Sequence, residues 1–444
     1  MRKVLVLAFV AAFSAASAAS AADNSTLAGW GAEVKARFGG ETITAAMASH
    51  PSTDAFKTME REFTALTGIK VTWDIVEETN LKNKQLLDAQ GAGSYDVMMV
   101  DAFWMSEYAS KKVLAPIQAY ADDPAKTPAW FDYADIMPAY RNGIAGANGV
   151  NYGIPTAGET RFIAYRTDLF EKYGKQPPKT MDQYLELARF FNGKEPGLYG
   201  VSMRAQRGIH FASGWMSLMY NFGGGFMDQA ALADGETVMT CNTPETKASL
   251  KFYVDLLRNA PPDVGSYTHE EALGAFLTGK TAMWLDATAL ANQITNPASS
   301  TVSGKVAFVP TPTGPAGDGA ALAGWNLAIS AKSAKKDAAW AFIAFMASRA
   351  KSEDYVLAGG VATRTSVFNN PKLLAANPSY PAQEKALISA NGLVKKGLSW
   401  IPQYDQINQV LDIAGRYGSA ALAGDIDTDA ACDRIQRDSE DLVD

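Results

Sequence analysis

Trp284 and Asp286 stand on either side of one residue in GKTAMWLDATA, residues 279–289. The stretch reads as a strand running into a helix, and side chains at such spacing share one face of a strand. One is a flat apolar plate and the other an acceptor-only carboxylate. Together they suit a polyhydroxylated ligand. They equally suit a buried tryptophan beside an aspartate capping a helix that starts at Ala287. Asp101, Glu159 and Asp286 are candidates for the carboxylate pair of a glycosidase, although distance along the chain does not reveal a pair. The histidines His50, His210 and His269 are isolated along the chain from one another and from Cys241 and Cys432, so no metal motif is expected. GxSxG, HExxH, Walker and GxGxxG motifs are absent. NFGGGF, residues 221–226, lacks the Lys-Ser/Thr of a phosphate loop and reads as a tight turn or a place of close backbone approach.

The compartment is written at the start of the chain. Arg2 and Lys3 precede VLVLAFVAAF and then the small-residue tract SAASAASAA. This is the pattern of a secretory signal peptide, expected over residues 1–22 with cleavage after Ala21 or Ala22. No later run is long and apolar enough to span a bilayer, so an exported, soluble, periplasmic protein is expected. The chain carries 47 acidic against 40 basic residues, with no basic stripe, so nucleic acid is not an expected partner. The two cysteines could form one bridge in an oxidising compartment or remain separate buried thiols.

The elements that would position these groups alternate in an α/β rhythm. ETITAAM, IKVTWDIV and YDVMMVD read as strands. Phe56, Met59, Phe63 and Leu66 fall at helical spacing before Gly68. The rhythm continues with strand TRFIAYR, a helix behind Thr180 and Gln183 in capping-box spacing, and strand GLYGVSM. Thr243-Pro244 and Thr268/Glu271 mark two further helix starts. VAFVP, a Pro/Gly loop, NLAIS and a mostly helical C-terminal part complete the chain.

The ordered stretches FTALTGIKVTWDIV, YDVMMVDAFWMSEYASKKVLAPI, YGIPTAGETRFIAYRTDLFEKYG, EALGAFLTGKTAMWLDATA, VAFVPTPTGP and GWNLAISAKSAKKDAAWAFIAFMAS carry a resemblance. The chain resembles the extracellular solute-binding proteins of ABC importers, the carbohydrate-binding family that includes maltose-binding protein. MWLDAT, NPASSTVSGKVAF, AGWNLAIS and IPQYDQINQVLDIAGRYGSAALAG resemble its polyol- and monosaccharide-binding branch.

The resemblance implies a periplasmic-binding-protein fold: two α/β lobes, a central ligand cleft and about three hinge crossings. The lobes would comprise residues 23–157 plus 324–368 and 158–323 plus 369–444. The crossings would lie near Thr156–Arg161, near Ala323–Trp325 and near Arg364–Asn370. It further implies a protein that does no catalysis, and no cofactor is expected; a monomer is expected because lobe closure and docking leave little need for a dimer. Such a protein closes on a sugar alcohol or small sugar by hinge bending and passes it to permease subunits. An anionic sugar derivative, anchored by His50, Arg161 and Arg364, is the alternative in the same class. An exported glycosidase is the alternative in another.

Ligands of open α/β sheets bind at the carboxyl ends of strands. That places Trp284 in the expected pocket, with Asp286 either a ligand acceptor or a cap. Asp101 is expected at the cleft or as a cap for residues 102–112. His50 would lie at the cleft rim, Glu159 and Arg161 beside the first crossing, and Trp325 as a stacking face beside the second. Arg364 is expected to reach vicinal hydroxyls or make an interlobe ion pair. Trp215 and Gly224 are further pocket candidates, with core packing and a turn as their alternatives. A hexitol has about a dozen heavy atoms, so micromolar capture at about 8 kcal/mol asks roughly 0.7 kcal/mol of each. An enclosed cleft can supply that where an open groove would not.

Overall fold

A computed structural model describes residues 24–443, so the expected signal peptide lies outside the described residues. Eleven strands form in chain order: β1 Thr42–Ala48, β2 Lys70–Val76, β3 Val97–Asp101, β4 Gly146–Ala147, β5 Val150–Asn151, β6 Gly153–Glu159, β7 Arg161–Arg166, β8 Tyr199–Ser202, β9 Thr281–Ala287, β10 Val306–Pro310 and β11 Ala323–Ile329. Apart from the small β4–β5 hairpin they make two sheets, β2-β1-β3-β11-β6 and β10-β7-β9-β8. β1 runs parallel to β2 and β3, whereas β11 is antiparallel to both of its neighbours. In the second sheet β8 and β9 are parallel and β7 is antiparallel to β9. Helices pack on both sheets, giving the two α/β lobes that the resemblance implies.

Local signals in the chain explain the main helices. Pro51–Thr67 opens with Pro51 in its first turn and closes at Gly68, whose φ of 69° puts it in the left-handed region. Phe56, Met59 and Phe63 form its buried stripe, and Phe63 packs on Phe342 and Phe345 at 5.4 and 5.5 Å. Burying each such ring contributes about 1.5–3 kcal/mol. Thr243 caps Pro244–Leu257, and Thr268 with Glu271 forms a complete capping box. At Thr180 the box is half made. Its hydroxyl takes the Gln183 N–H, but the Gln183 side chain accepts from Lys179 instead.

TRFIAYR forms one strand, β7, from Arg161 onward. Its Thr160 is the single residue between β6 of one sheet and β7 of the other. The loop from β10 back to β11 returns beside it. Thr160 Oγ1 donates to the Ala321 carbonyl at 2.7 Å, and the Thr160 N–H donates to Thr288 Oγ1 at 3.2 Å. The two connections are therefore stitched side by side. The chain returns to the second sheet once more after Phe368, where Gln383 on the helix Tyr380–Lys395 donates to Thr288 at 3.0 Å. Cys241 and Cys432 are both buried and free. Among the described residues no helix is long and apolar enough to cross a membrane.

Candidate functional site

The two sheets present their strand ends to a shared cavity of about 590 Å³. His50 follows β1, Asp101 ends β3, Glu159 ends β6, Arg161 begins β7, Arg204 follows β8 and Trp325 sits near the start of β11, and all of them line it. Asp286, one residue from the end of β9, lies directly behind the two arginines.

Asp286 is the electrostatic centre. Arg204 Nε donates to both its carboxylate oxygens at 2.9 and 2.8 Å, and Arg161 Nη1 lies 3.3 Å away. Burial pushes the Asp286 carboxyl up in pKa, but the two guanidiniums outweigh it and hold the group at about 2. The carboxylate also accepts the Ala287 N–H at 2.7 Å. The following helical turn starts at Thr288, one residue later than the sequence suggests. Arg161 is fixed by Ser217 and Ser213 at 3.3 and 3.2 Å and lies over the Trp400 ring at 5.8 Å. Burial and the charge of Arg204 lower its pKa. Its Nη1 is buried without an aligned hydrogen-bond acceptor.

The other lobe supplies the remaining polar groups. His50 Nδ1 accepts the Ser52 N–H at 3.1 Å, which leaves Nε2 as the N–H that meets Glu159 Oε1 at 3.3 Å. Burial raises the pKa of Glu159, but the His50 hydrogen bond and the surrounding positive charges leave it below its ordinary value. Asp101 accepts the Phe103 N–H at 2.8 Å, so it caps a short helix and faces the cleft at once. Burial and neighbouring Glu78 push its carboxyl well above the usual range. Glu78 is itself raised by burial, with Arg204 opposing and Glu159 reinforcing. These two acids hold their protons more readily than ordinary carboxylates and can donate to hydroxyl oxygens. Trp325 pairs in register with Asp101, with His50 at 5.8 Å and Trp104 edge-on behind it at 5.3 Å.

Four expected site residues lie elsewhere. Trp284 is fully buried between Phe162 and Phe276, at 6.2 and 6.5 Å. It shares a face with Asp286 but sits two residues, about 6–7 Å, back from it along β9 and away from the cavity. Trp215 is also core: its indole N–H donates to Ser249 at 2.8 Å and its ring packs on Phe226. Gly224 serves a turn, where a Cβ would stand 2.9 Å from the Thr246 Cα. Arg364 spends its guanidinium on the Ala347 carbonyl that ends a helix, on the Asp132 carbonyl at 2.7 Å and on Asp135 at 3.5 Å, all within one lobe. Burial pushes its pKa down to about 10. It reaches neither the cleft nor the opposite lobe.

Glu78, Arg204, Ser213, His210 and His269 line the cavity without having been singled out in the sequence. Arg204 had a usable signal, since it directly follows the strand GLYGVSM as Asp101 closes YDVMMVD. The histidines had none. His210 and His269, far apart in sequence, come together with ring centroids 5.9 Å apart. Among the described residues no cluster of metal-binding side chains forms.

Residues 50–352 match the family model of the bacterial extracellular solute-binding proteins, and the chain belongs to that family. The mannitol-binding protein of Pseudomonas aeruginosa is 28% identical over 427 residues, covering 90% of this chain and 92% of that protein. The solved structure of an ABC transporter solute-binding protein from Agrobacterium radiobacter K84 in complex with ribitol superposes with a TM-score of 0.83 at 26% identity, over 91% of this chain and 99% of that one. One from Agrobacterium vitis S4 with bound D-mannitol gives 0.78 at 30% identity, over 91% and 98%. The family is one of binding proteins rather than enzymes, and the glycosidase alternative falls away.

Proposed function

We propose that this protein is the periplasmic binding component of an ABC importer. It captures a neutral sugar alcohol or small sugar between its lobes as a monomer and presents the closed form to permease subunits. One observation carries the choice of a neutral ligand. Both guanidiniums lining the cavity are already matched by carboxylates, Arg204 and Arg161 by Asp286, and Arg161 also by Glu159 at 3.8 Å. An anion would have to compete with these buried pairs and approach the Glu159 carboxylate as well. A polyol need not. Its hydroxyls can accept from Arg161 and donate to Glu159, and its C–H faces can lie on Trp325. The ribitol and mannitol held by the two similar structures support this reading.

Lobe closure would pivot at Thr160, at the returning loop before Ala323 and at the passage after Phe368. Binding then serves both capture and signalling. Calorimetry on the chain without its leader, against pentitols, hexitols, monosaccharides and aldonates, tests the assignment. Micromolar binding of a neutral polyol or sugar, with a smaller radius of gyration in X-ray scattering, is expected. Binding of aldonates alone would overturn it.

A further inference from the structure

We infer that the adjacent imidazoles of His210 and His269 form a hydroxyl-reading subsite that grips one end of an extended polyol and so sets the chain length the cleft accepts. This rests on the polyol reading above and adds a determinant to it.

The rings are placed by two helix starts. His210 is in the first turn of Ile209–Met219, entered through Gly208 at φ 94°, and His269 is the first residue of His269–Leu277, held by its capping box. Both line the cavity and their ring planes lie 39° apart. His210 is 8% exposed, yet neither ring has a hydrogen-bond partner among the described residues, and both Nδ1 atoms are buried and unpaired. A polar atom removed from water without a partner costs about 1–3 kcal/mol. The Nδ1 atoms are shut off from the cavity, so each ring meets a ligand through Nε2, which no hydrogen bond within the described residues holds.

Their protonation state suits hydroxyls. Burial, followed by the charge of Arg204, pushes both rings down to about 4, while Asp286 pulls the other way for each, joined by Glu271 at His210 and Glu159 at His269. At neutral pH each ring is uncharged, with one nitrogen donating and one accepting. A hydroxyl also donates and accepts, so each ring can satisfy one hydroxyl without carrying charge. Position makes the pair an end-stop. Contacts run from Trp325 and His50 to Glu159, then Arg161, which Ser213 holds; His210 stands one turn before Ser213 on the same helix, with His269 on its far side at 5.9 Å. A short polyol centred on Arg161 and Trp325 would leave the histidines untouched, and a longer one would reach them.

The test compares a tetritol, a pentitol and a hexitol by calorimetry on the wild type and on His210→Asn and His269→Asn. The wild-type titrations come first, and if no polyol binds, the polyol assignment fails before this inference is reached. Given wild-type binding, each variant is expected to lose about tenfold in hexitol affinity, one ordinary hydrogen bond, with tetritol affinity unchanged. Equal losses for all lengths, or no loss, would overturn the subsite. A second measurement needs no variant. The chain has only 3 histidines, so ring-nitrogen NMR resolves them. Hexitol should shift both signals to a single fixed tautomer and tetritol should not. Signals indifferent to hexitol would overturn the inference.

Discussion

The ring of Phe103 meets the ring of Trp400 edge to face, with centroids 5.4 Å apart. Phe103 lies two residues past the end of β3 and lines the cleft from the five-stranded side. Trp400 is held from the other side, its indole N–H donating to the Met216 carbonyl and its own carbonyl accepting from Tyr220, each at 3.1 Å. Two hydrogen bonds reinforce the bridge. Asn408 donates to the Phe103 carbonyl at 3.0 Å, and Ser106 donates to Gln403 at 3.2 Å. Edge-to-face pairs contribute about 0.5–1.5 kcal/mol beyond burial. Phe103→Ala should therefore favour the open lobes and weaken ligand binding about threefold to tenfold. Calorimetry combined with X-ray scattering checks this. Unchanged affinity would mean that the contact does not report closure.

Asp286 is the common partner of two buried guanidiniums, so its removal should be costly. Asp286→Asn keeps the shape and deletes the charge, and should destabilise the protein by about 3–5 kcal/mol. Urea unfolding monitored by tryptophan fluorescence measures the loss. The same variant should gain affinity for aldonates, because Arg161 and Arg204 would lose their carboxylate.

The two tryptophans of the sequence argument should separate cleanly. Trp284→Ala should cost about 3–5 kcal/mol of stability as a core cavity while leaving the affinity of the folded protein within a factor of about two. Trp325→Ala should lower polyol affinity by about tenfold or more, since it removes the apolar wall of the cleft. Denaturation and calorimetry on both variants test the pair. Loss of affinity in Trp284→Ala at full folding would contradict the placement described here.

His210 and His269 also predict a pH dependence. Their rings titrate at 6.5 when free and at about 4 when folded. Between these values the unfolded chain binds protons that the folded chain refuses. Stability is thus full above pH 6.5 and falls as pH drops towards 4, by up to about 3 kcal/mol for each ring. Asp286 extends the loss from 3.8 down to about 2, where its folded-state carboxylate is finally protonated. Urea midpoints from pH 7.5 to 4 should decline, and the slope should flatten in His269→Asn.

Much of this fold is legible in the sequence because its signals are local. Thr243-Pro244, Thr268 with Glu271 and the helix stop at Gly68 all do what their chemistry requires. The strand-end rule led to Asp101, and the crossings that the resemblance implies led to Glu159, Arg161 and Trp325, all of which line the cavity. The rule misled at Trp284 because periodicity gives a face and not a depth, and two residues along a strand separate core from cleft. Arg364 was misread because a guanidinium's partners are set by tertiary packing, here a helix end and two aspartates distant in sequence. The histidine pair was invisible because only the packing of two helix starts brings it together.

β11 has a consequence for how the molecule is made. It lies between β3 and β6, and Val97, paired to Ala45 on one side, finds its second partner only in Ile329. The first-made sheet therefore stays split, with two open strand edges, until a much later part of the chain has been synthesised. Such long-range pairing is slow and leaves aggregation-prone edges in the meantime. It also withholds Trp325 from the site. A truncated chain ending before β11 should thus be no half-active receptor but a ligand-blind, sticky fragment. Capture is a property that the polypeptide acquires late and all at once.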